Sequence, residues 1–402
     1  MEKFRTLDDL DVKGKRVLVR ADLNVPIENG RVSDTLRIDR QAPTIGELAD
    51  KGAKVIVLSH FERPQGKVVP SMSLKPVVPA LAKALGRPVA FASDCVGKIA
   101  EDTVARLREG DVLLLENTRF HAGEEADDRD FAQQVARLGD IFVNDAFSVA
   151  HRAHATTAAI AYLLPSTAGR AMQAELAHLH KALDDPERPV MAVIGGSKVS
   201  TKIALLEHLV RRVETLMIGG AMANTFLAAG GINVGRSLFE PDHLETARRV
   251  VSLSVDSGTA LLLPSDVIVA GQLKEGASCR TTNVRDVGKE EMILDVGRET
   301  IEAFEKRLHN TRTLVWNGPL GAFETSPFDW GTNAAAKLVA ERTRAGNLLS
   351  VAGGGDTVSA LNHAGVADDF SYVSTAGGAF LEWLEGQELP AVAALVAQGA
   401  GR

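Results

Sequence analysis

The sequence predicts an α/β protein built from two similar domains, each a parallel sheet flanked by helices. Short runs rich in β-branched residues recur along the whole chain, and the interval between successive runs leaves room for one helix. The length of 402 residues is enough for two domains of ~100 to 200 residues, each with a full core. The composition, 45% apolar and 24% charged, is that of a globular chain rather than a disordered one.

The predicted strands fall into two groups along the chain. Those of the first half are residues 16–25, 54–59, 112–116 and 141–144, and those of the second half are residues 190–194, 215–218, 260–263, 313–316, 348–351 and 372–374. Between the two groups, residues 166–183 have helix-forming composition, and Pro186 and Pro189 forbid a continuation of that helix. This segment is therefore predicted to connect two domains of similar size.

The charge balance and the cysteine count exclude several classes of function. The chain holds 45 basic and 52 acidic side chains, a net charge of −7, whereas a protein that coats nucleic acid needs a basic surface. No stretch approaches the roughly 20 uninterrupted apolar residues of a membrane span, and the first residues do not form an apolar signal segment. We therefore expect a cytoplasmic protein without nucleic-acid or membrane partners. Cys95 and Cys279 lie far apart without metal-ligand spacing, and both are expected to be buried thiols.

The residues that follow the first-half strands are polar and rich in arginine, and ligands of parallel sheets bind beyond the carboxyl ends of strands. These residues are Asp22, Asn24, His60, Arg63, Asn117, Arg119, Asn144, Asp145, His151 and Arg152. An arginine can bind a carboxylate or phosphate through two parallel hydrogen bonds. Together with Arg37, the arginines therefore suit a small, multiply charged anion. The alternative is that each arginine pairs with a nearby acid at the surface.

The residues that follow the second-half strands are rich in glycine. The clusters are Gly195-Gly196-Ser197-Lys198, Gly219-Gly220, Asn317-Gly318-Pro319, Gly353-Gly354-Gly355-Asp356-Thr357 and Gly377-Gly378. Glycine lets backbone N–H groups approach a ligand closely, and a following helix adds the positive end of its dipole, so a nucleotide is the predicted ligand. Tight turns are the alternative explanation for any single pair of glycines. Neither the P-loop pattern nor the dinucleotide-binding glycine pattern is present.

Two motifs raise the question of a metal ion. Asp356 follows three glycines at the predicted start of a helix, where its carboxylate can hold Mg²⁺ against nucleotide phosphates or can cap the helix. The sequence leaves these two roles open. His151 and His154 have helical i, i+3 spacing, but without a third ligand nearby they are not assigned to a metal.

Several motifs taken together resemble the phosphoglycerate kinase family over essentially the whole chain. In the first half they are RADLNVP at 20–26, SHFERP at 59–64, LENTRF at 115–120, NDAF at 144–147 and HRAH at 151–154. In the second half they are GGSKVSTK at 195–202, WNGP at 316–319, GGDT at 354–357 and STAGG at 374–378. The series in this order is far more specific than any single motif.

The resemblance implies two similar α/β domains that face each other across a cleft, with 3-phosphoglycerate on the first and the magnesium nucleotide on the second. It implies reversible phosphoryl transfer from 1,3-bisphosphoglycerate to ADP, giving 3-phosphoglycerate and ATP, by a monomer that closes about a hinge. The first domain is expected over residues 1–170, the connecting helix and hinge over 171–188 and the second domain over 189–388. Residues 389–402 are expected to return to the first domain.

The functional residues of the family are carried over where this sequence matches its motifs. The triose site is implied to contain Asp22, Asn24, Arg37, His60, Arg63, Arg119 and Arg152, with the last three around the phosphate and Arg37 near the reacting carboxyl group. The nucleotide site is implied to contain Lys202, Gly220, Asn317, Glu324, Gly354, Gly355, Asp356 and Thr357, with Glu324 on the ribose and Asp356 on Mg²⁺. The groups implied to assist the transfer are Arg37, Lys198, Lys202, Gly354 and Gly377.

Three positions depart from the family pattern. Glu62 stands where glycine is common and brings a carboxylate close to an anion site, while Tyr372 and Ala376 replace a frequent histidine and a frequent glycine. None of the three removes a group that the resemblance assigns to catalysis.

Two other classes of function are compatible with a pair of parallel sheets. A dinucleotide-dependent dehydrogenase is opposed by the missing glycine pattern, and binding of a nicotinamide cofactor would indicate it. A non-catalytic binder of small anions would use the same arginines. Turnover of 3-phosphoglycerate with ATP separates the kinase from the binder.

Overall fold

The computed structural model describes residues 4–399, and the chain divides into two units. One unit is His178–Gln387, and the other contains the chain before it together with the segment that begins at Glu388. Of the segment 389–402, residues 400–402 lie outside the described residues. Within residues 4–399, no helix is both long enough and apolar enough to cross a membrane.

The first unit is built on a six-stranded parallel sheet. Its strands are β1 (Arg16–Arg20), β4 (Lys54–Leu58), β5 (Val89–Ala92), β6 (Val112–Leu115), β7 (Ile141–Asn144) and β8 (Ser166–Ala168), and β2 (Ile27–Glu28) and β3 (Arg31–Val32) form a small hairpin. The strand order is β5-β6-β4-β1-β7-β8. Its helices are α1 (Leu36–Asp50), α2 (Val78–Leu85), α3 (Gly97–Val104), α4 (Ala122–Glu125), α5 (Arg129–Ala136) and the first part of α6 (Arg170–Leu179).

Helices cover both faces of this sheet because successive strand residues point to opposite sides. Val19 packs into a core that contains Ile45 of α1, whereas Leu18 packs into a second core that contains Phe131 of α5. A parallel strand buried on both faces has consecutive apolar residues, which is why β1 and β4 contain continuous apolar runs and β6 is apolar throughout.

The second unit contains a second six-stranded parallel sheet and a separate three-stranded antiparallel sheet. The parallel strands are β9 (Val190–Ile194), β10 (Thr215–Ile218), β11 (Ala260–Leu262), β15 (Thr313–Asn317), β16 (Leu349–Gly353) and β17 (Tyr372–Ser374), in the order β11-β10-β9-β15-β16-β17. The antiparallel strands are β12 (Asp266–Ala270), β13 (Cys279–Asn283) and β14 (Met292–Val296). The helices are α7 (Ile203–Leu209), α8 (Gly220–Ala229), α9 (Leu244–Ser257), α10 (Arg298–Asn310), α11 (Trp330–Arg344), α12 (Gly355–His363) and α13 (Gly377–Leu384).

The helix α14 (Pro390–Gly399) follows the second unit in sequence but belongs to the first. Its residue Ala394 is fully buried in the core that contains Phe131, and the N–H of Ala391 donates a hydrogen bond of 3.1 Å to the carbonyl of Ala150. The chain therefore crosses from one unit to the other twice.

The predicted α/β class with helix-flanked parallel sheets is confirmed, but several predicted bounds are wrong. The first strand ends at Arg20 rather than at residue 25. The chain leaves the sheet there because the N–H of Leu23 bonds to Ser59 Oγ at 3.0 Å and the N–H of Val25 turns back to the carbonyl of Leu23. The strand β5 and the antiparallel sheet were not predicted.

The predicted helix over 166–183 is wrong at its beginning. Ser166–Ala168 forms the edge strand β8, which pairs with β7, and α6 begins only at Arg170. The beginning of α6 is fixed by Asp145, whose Oδ1 accepts a hydrogen bond of 3.0 Å from the N–H of Met172. A π-helical turn, His180–Asp184, continues α6 before the prolines end the helical segment.

Candidate active site

The polar residues that follow the strands of the first sheet lie at one edge. The neighbouring strands β6, β4, β1 and β7 run parallel, so their carboxyl ends open at the same edge of the sheet. Arg37 joins this edge from the first turn of α1. We name the following set the arginine edge: Asp22, Asn24, Arg37, His60, Arg63, Arg119 and Arg152.

Arg37 is held in place by the loop that follows β1. Its Nη1 lies 3.2 Å from Oδ2 of Asp22 and donates a hydrogen bond of 2.8 Å to the carbonyl of Asn24. Asp22 is itself fixed, because its Oδ2 accepts a hydrogen bond of 2.6 Å from Ser148 Oγ. The Arg37 side chain remains 38% exposed, so a guanidinium anchored at one nitrogen faces solvent and is able to bind an anion.

Glu62 links the loops that follow three different strands. It adopts a left-handed conformation with φ of 52°, which an L-residue reaches only at a cost. Its N–H donates a hydrogen bond of 3.1 Å to Asn24 Oδ1, and its carbonyl accepts one of 2.8 Å from Arg119 Nη1. The glycine that is common here in the family would adopt this conformation without strain, whereas Glu62 adopts it with a side chain that is exposed at the arginine edge.

A buried charged network lies beneath the arginine edge, and the sequence did not predict it. Arg20 is fully buried, and it donates to Thr156 Oγ1 at 3.0 Å and to the carbonyl of Ala21 at 2.6 Å. Its Nη2 lies 3.2 Å from His60 Nδ1 and 4.0 Å from an oxygen of Glu124. The signal in the sequence was an arginine that directly follows the apolar run 17–19 inside a predicted strand.

His60 is a neutral imidazole in this network. Burial, followed by the charges of Arg20 and Arg119, holds the pKa of His60 well below its ordinary value. An arginine only donates hydrogen bonds, so His60 Nδ1 is the acceptor and the ring proton lies on Nε2. The residue therefore offers a hydrogen-bond donor to a ligand rather than a positive charge.

The three arginines expected around a phosphate act on one another electrostatically. Burial lowers the pKa of Arg119, the charges of Arg152 and Arg63 lower it further, and Glu125, whose carboxylate lies 3.3 Å from Arg119 Nε, opposes them. Like charges gathered at one edge are stabilised by a bound anion. Arg152 also contacts the neighbouring His151, at 3.4 Å between Nε and Nε2.

Three other polar residues that follow strands serve the fold. Asn117 bonds to both backbone groups of Phe61 and to the carbonyl of Met72, so it holds the loop after β4. Asn144 caps its own loop by accepting from the N–H of Ala146 at 3.1 Å. Asp145 fixes the beginning of α6, and burial raises the pKa of Asp145 to about 7.

The glycine clusters likewise lie at one edge of the second sheet. The strands β10, β9, β15, β16 and β17 run parallel, and the clusters follow their carboxyl ends. The helices α8, α12 and α13 begin there, at Gly220, Gly355 and Gly377. We name this set of loops and helix beginnings the glycine edge. Three helix beginnings offer N–H groups and positive dipole ends to an anion.

Lys202 is the cation that is fixed at the glycine edge. Its Nζ donates to the carbonyl of Gly195 at 2.6 Å, to Asn317 Oδ1 at 2.7 Å and to the carbonyl of Asn317 at 3.3 Å. Burial lowers the pKa of Lys202 to about 8, and the charge of Asp356 opposes that shift. Asn317 is held in turn, because its Nδ2 donates a hydrogen bond of 2.8 Å to the carbonyl of Gly353.

A cavity of about 540 Å³ lies in the second unit beside the glycine edge. This volume falls within the roughly 300 to 1,000 Å³ of small-molecule sites. Gly220, Glu324 and Asp356 line it, as do apolar residues of β14 and of the loop after β15. The predicted nucleotide residues that are not among its lining residues are Lys202, Asn317, Gly354, Gly355 and Thr357.

Asp356 is not a helix cap, so that alternative reading of its role is wrong. The residue that caps α12 is Gly354, whose φ of 98° lies in the region that glycine favours, and Asp356 is exposed in the first turn. The buried Thr357 serves the loop after β15, since its Oγ1 accepts a hydrogen bond of 2.7 Å from the N–H of Gly318. A side chain at Gly377 would lie within 3.9 Å of Gly354, so these two positions are neighbours.

Lys198 lies in the same loop as Lys202 but has a different environment. Its side chain is exposed, and the loop around it is closed by a hydrogen bond of 3.0 Å from Thr201 Oγ1 to the carbonyl of Lys198. Lys202 is thus held in place, whereas the Lys198 ammonium is able to move toward a ligand.

The environments of the two cysteines differ from each other. Cys95 is buried as expected, but Cys279 is exposed, because β13 is an edge strand of the antiparallel sheet. The structure also brings Asp94, Cys95 and His121 within 4.8 Å of one another, although their spacing in the sequence did not indicate this. A hydrogen bond of 2.7 Å between His121 Nε2 and Asp94 Oδ1 accounts for that proximity.

The other two departures from the family pattern are accommodated by local packing. The ring of Tyr372 stacks on His178, with ring centroids 4.4 Å apart and an interplanar angle of 13°. Ala376 is buried and precedes α13, and its N–H donates a hydrogen bond of 3.1 Å to Ser374 Oγ. Neither residue removes a polar group from the two edges.

Comparison with known proteins finds similarity to phosphoglycerate kinases along nearly the whole chain. A family model described as phosphoglycerate kinase matches residues 7–387. A phosphoglycerate kinase of Methylorubrum extorquens (strain PA1) is 60% identical over 400 residues, which cover 99% of this chain and 100% of the relative. One of Rhodospirillum centenum (strain ATCC 51521 / SW) is 61% identical over 392 residues, which cover 98% of this chain and 99% of the relative. The solved structure of phosphoglycerate kinase from Coxiella burnetii matches with a TM-score of 0.92 and 42% identity, over 99% of this chain and 100% of that chain.

The two parallel sheets, each with an edge suited to anions, and these similarities define a phosphotransferase whose acceptor is a carboxyl group. The chain belongs to the phosphoglycerate kinase family. The resemblance that the sequence motifs indicated is therefore confirmed.

Proposed function

We propose that the arginine edge binds 3-phosphoglycerate and that the glycine edge binds the nucleotide. The reaction follows from the family: reversible transfer of a phosphoryl group from 1,3-bisphosphoglycerate to ADP, giving 3-phosphoglycerate and ATP, a step of glycolysis and gluconeogenesis. The observation that carries the division is the difference between the two edges. One gathers four arginines, whereas the other gathers three helix beginnings and a fixed lysine beside a cavity of about 540 Å³.

The charges of the arginine edge fit a triose that carries two anionic groups. Arg63, Arg119 and Arg152 suit the phosphate, since arginine binds phosphate through paired hydrogen bonds. Arg37, held by Asp22 and the carbonyl of Asn24, suits the carboxyl end, where the reaction takes place.

The reaction needs no general base. The acceptor atom is a carboxylate oxygen in one direction and a phosphate oxygen in the other, and neither carries a proton at pH 7 that has to be removed. His60 agrees with this, because it is neutral and buried, and its Nδ1 is occupied by Arg20. Its role is to donate a hydrogen bond that orients the triose.

Transfer depends on positioning and on positive charge. The transferred phosphoryl group is planar and carries negative charge on three oxygens, which aimed cations and N–H groups stabilise. We assign this role to Arg37, Lys198 and Lys202 together with the N–H groups near Gly354 and Gly377. Exclusion of water from the site also protects the acyl phosphate from hydrolysis.

The glycine edge suits a nucleotide that carries Mg²⁺. Asp356 fits as the protein ligand, since it is an exposed carboxylate that lines the cavity at the beginning of α12, and Mg²⁺ prefers one or two carboxylates together with phosphate oxygens and water. When bound, the ion neutralises charge on the nucleotide phosphates. Glu324, exposed in the cavity wall, is assigned to the ribose hydroxyl groups.

Three further properties belong to the proposal, and of these the monomer rests on the family alone. We expect a cytoplasmic monomer, and light scattering after size exclusion would detect any larger assembly. We also expect hinge closure at α6 and at the loop around Gly377, driven by contacts that each substrate adds. The radius of gyration in solution should then fall most when both substrates are present, and identical scattering curves in all states would contradict closure.

A coupled assay of 3-phosphoglycerate phosphorylation by ATP, with ATP alone as the blank, tests the reaction. Arg152→Ala should raise the KM for 3-phosphoglycerate and leave the KM for ATP unchanged, because the lost contact is the same in the ground and transition states. Arg129→Ala, at an exposed arginine that begins α5 and that neither edge includes, is the matched control. A folded wild-type protein that binds both ligands without turnover would support the anion-binder alternative.

A further inference from the structure

The loop that carries both lysines is compact. It follows β9 and ends at α7, and within it the N–H of Lys202 donates a hydrogen bond of 2.9 Å to the carbonyl of Val199. Val199 is fully buried, whereas Lys198 and Ser200 on either side of it are exposed. The position of the exposed Lys198 therefore depends on contacts that residues outside the loop make with it.

Glu240 is the residue that holds this loop. Its Oε2 accepts a hydrogen bond of 3.0 Å from the N–H of Ser200, and its Oε1 accepts one of 2.6 Å from Ser200 Oγ. Two oxygens on two donors fix both the distance and the orientation of the peptide, which one hydrogen bond would not. Ser200 lies midway between Lys198 and Lys202, so the contact constrains both lysines.

Glu240 is itself anchored to the helix that borders the cavity. Its backbone N–H donates a hydrogen bond of 3.1 Å to Oγ1 of Thr225, which is fully buried in α8. The neighbouring Asn224 donates from Nδ2 to the carbonyl of Leu238 at 3.0 Å, and both of these residues line the cavity. The carboxylate of Glu240 thus ties the lysine loop to α8.

The charge of Glu240 shows that it does not bind phosphate directly. A carboxylate repels an anionic ligand, so a glutamate beside the lysine loop opposes the attraction that the lysines provide. Partial burial would raise the pKa of Glu240, but hydrogen bonds from the side chain and backbone of Ser200 outweigh burial and hold that pKa below its ordinary value. Its two oxygens are therefore ionised acceptors at neutral pH.

We propose that Glu240 is a positioning residue for phosphoryl transfer: by binding Ser200 it fixes the lysine loop relative to α8, so that Lys198 reaches the transferred group. The proposal rests on the role given to Lys198 above. It adds a residue that touches neither substrate and that acts through the loop.

A double-mutant cycle between Glu240 and Lys198 tests the proposal. Glu240→Ala should lower kcat about 10- to 100-fold, because misplacement of a reacting group by about 1 Å has effects of that size. The KM for 3-phosphoglycerate should stay within about twofold. In a Lys198→Ala background the same substitution should lower kcat by less than about threefold, since the loop then has no exposed lysine to place.

Two further variants separate positioning from a loss of structure. Glu240→Gln should restore kcat to within about threefold of wild type, because its oxygen accepts from the Ser200 N–H and its amide donates to Ser200 Oγ. Glu245→Ala, which removes a nearby exposed partner of Arg248 in α9, should leave kcat unchanged. The anchor to Thr225 uses the backbone of residue 240, so it survives every substitution there.

Amide hydrogen exchange gives a readout that does not depend on turnover. Exchange at Ser200 should accelerate about tenfold or more in Glu240→Ala and remain slow in Glu240→Gln, while exchange in β9 stays unchanged. Unchanged exchange at Ser200 in Glu240→Ala would contradict the proposal that Glu240 holds the loop. If Glu240→Ala lowered kcat equally in the wild-type and Lys198→Ala backgrounds, the positioning role would be overturned. If the wild-type protein showed the expected exchange pattern but no turnover, only the proposed function would be contradicted.

Discussion

The charge of Lys202 should set the upper pH limit of activity. The pKa of Lys202 is lowered by burial from the ordinary 10.5 to about 8. That fall corresponds to about 3 kcal/mol in favour of the neutral amine. The ammonium is therefore present below pH 8, and its charge is lost as the pH rises through that value.

The expected size of the effect follows from this pKa. At pH 7 about nine tenths of Lys202 is protonated in the free enzyme, and at pH 9 about one tenth, so kcat/KM for the nucleotide should fall about tenfold between these values. The profile of kcat should fall only at higher pH, because bound phosphate charges stabilise the ammonium and raise its pKa. A lysine with the ordinary pKa would stay protonated between pH 7 and pH 9, so kcat/KM would not fall.

The assay is kcat/KM for ATP at saturating 3-phosphoglycerate between pH 6.5 and 9.5, with the coupling enzymes checked at each pH. Lys202→Arg is the matched variant, since arginine stays charged throughout and should give a flat profile whatever its absolute rate. A wild-type profile that stays constant within twofold to pH 9.5 would refute the reasoning. A fall of equal size in the arginine variant would assign the titration to another group.

Three other expectations concern single residues. Arg37→Ala should lower kcat about 10²- to 10³-fold with little change in nucleotide affinity, and a variant that keeps half of the wild-type kcat in the coupled assay would contradict its role. Asp356→Asn should leave thermal stability unchanged, because Gly354 caps the helix, and should weaken magnesium-dependent ATP binding at least about tenfold in a magnesium titration. Glu62→Gly should raise the free energy of unfolding by about 1 kcal/mol, because it relieves the left-handed strain, and should lower the KM for 3-phosphoglycerate. Gln65→Gly, with φ of 57° at the replaced residue, is the control that relieves similar strain and does not change the charge, so an equal fall in KM there would exclude electrostatics as the cause.

The sequence predicted the parallel strands well because buried parallel strands contain runs of consecutive apolar residues. In β9 every residue is apolar and buried, and in β1 the three central residues are, so these runs stand out without any knowledge of the fold. The strand β13 of the antiparallel sheet was missed for the opposite reason. In β13 four of the five residues are exposed, so neither a continuous apolar run nor a buried face marks it.

The candidate site was predicted to the extent that its residues follow strands in the sequence. Parallel strands bring their carboxyl ends to one edge, so Asn24 and Arg119 were expected to be neighbours although about a hundred residues separate them. The same rule did not distinguish residues that face a ligand from those that serve the fold. Asn117 and Asp145 follow strands equally, yet their partners are loops and a helix beginning.

The sequence by itself determined the fold class, the two edges and the family. The spacing of apolar runs and the order of the motifs are properties of the sequence, so they can be recognised without the structure. Only the tertiary structure decided that Arg20 is paired with Glu124 at the far end of a buried network, and that Lys202 is held by Asn317, 115 positions away. It also decided that Glu62 sits in a left-handed turn. The burial of a side chain and its hydrogen-bond partners depend on which distant segments pack against it. That packing is determined by the whole chain and not by the residues next to it in the sequence.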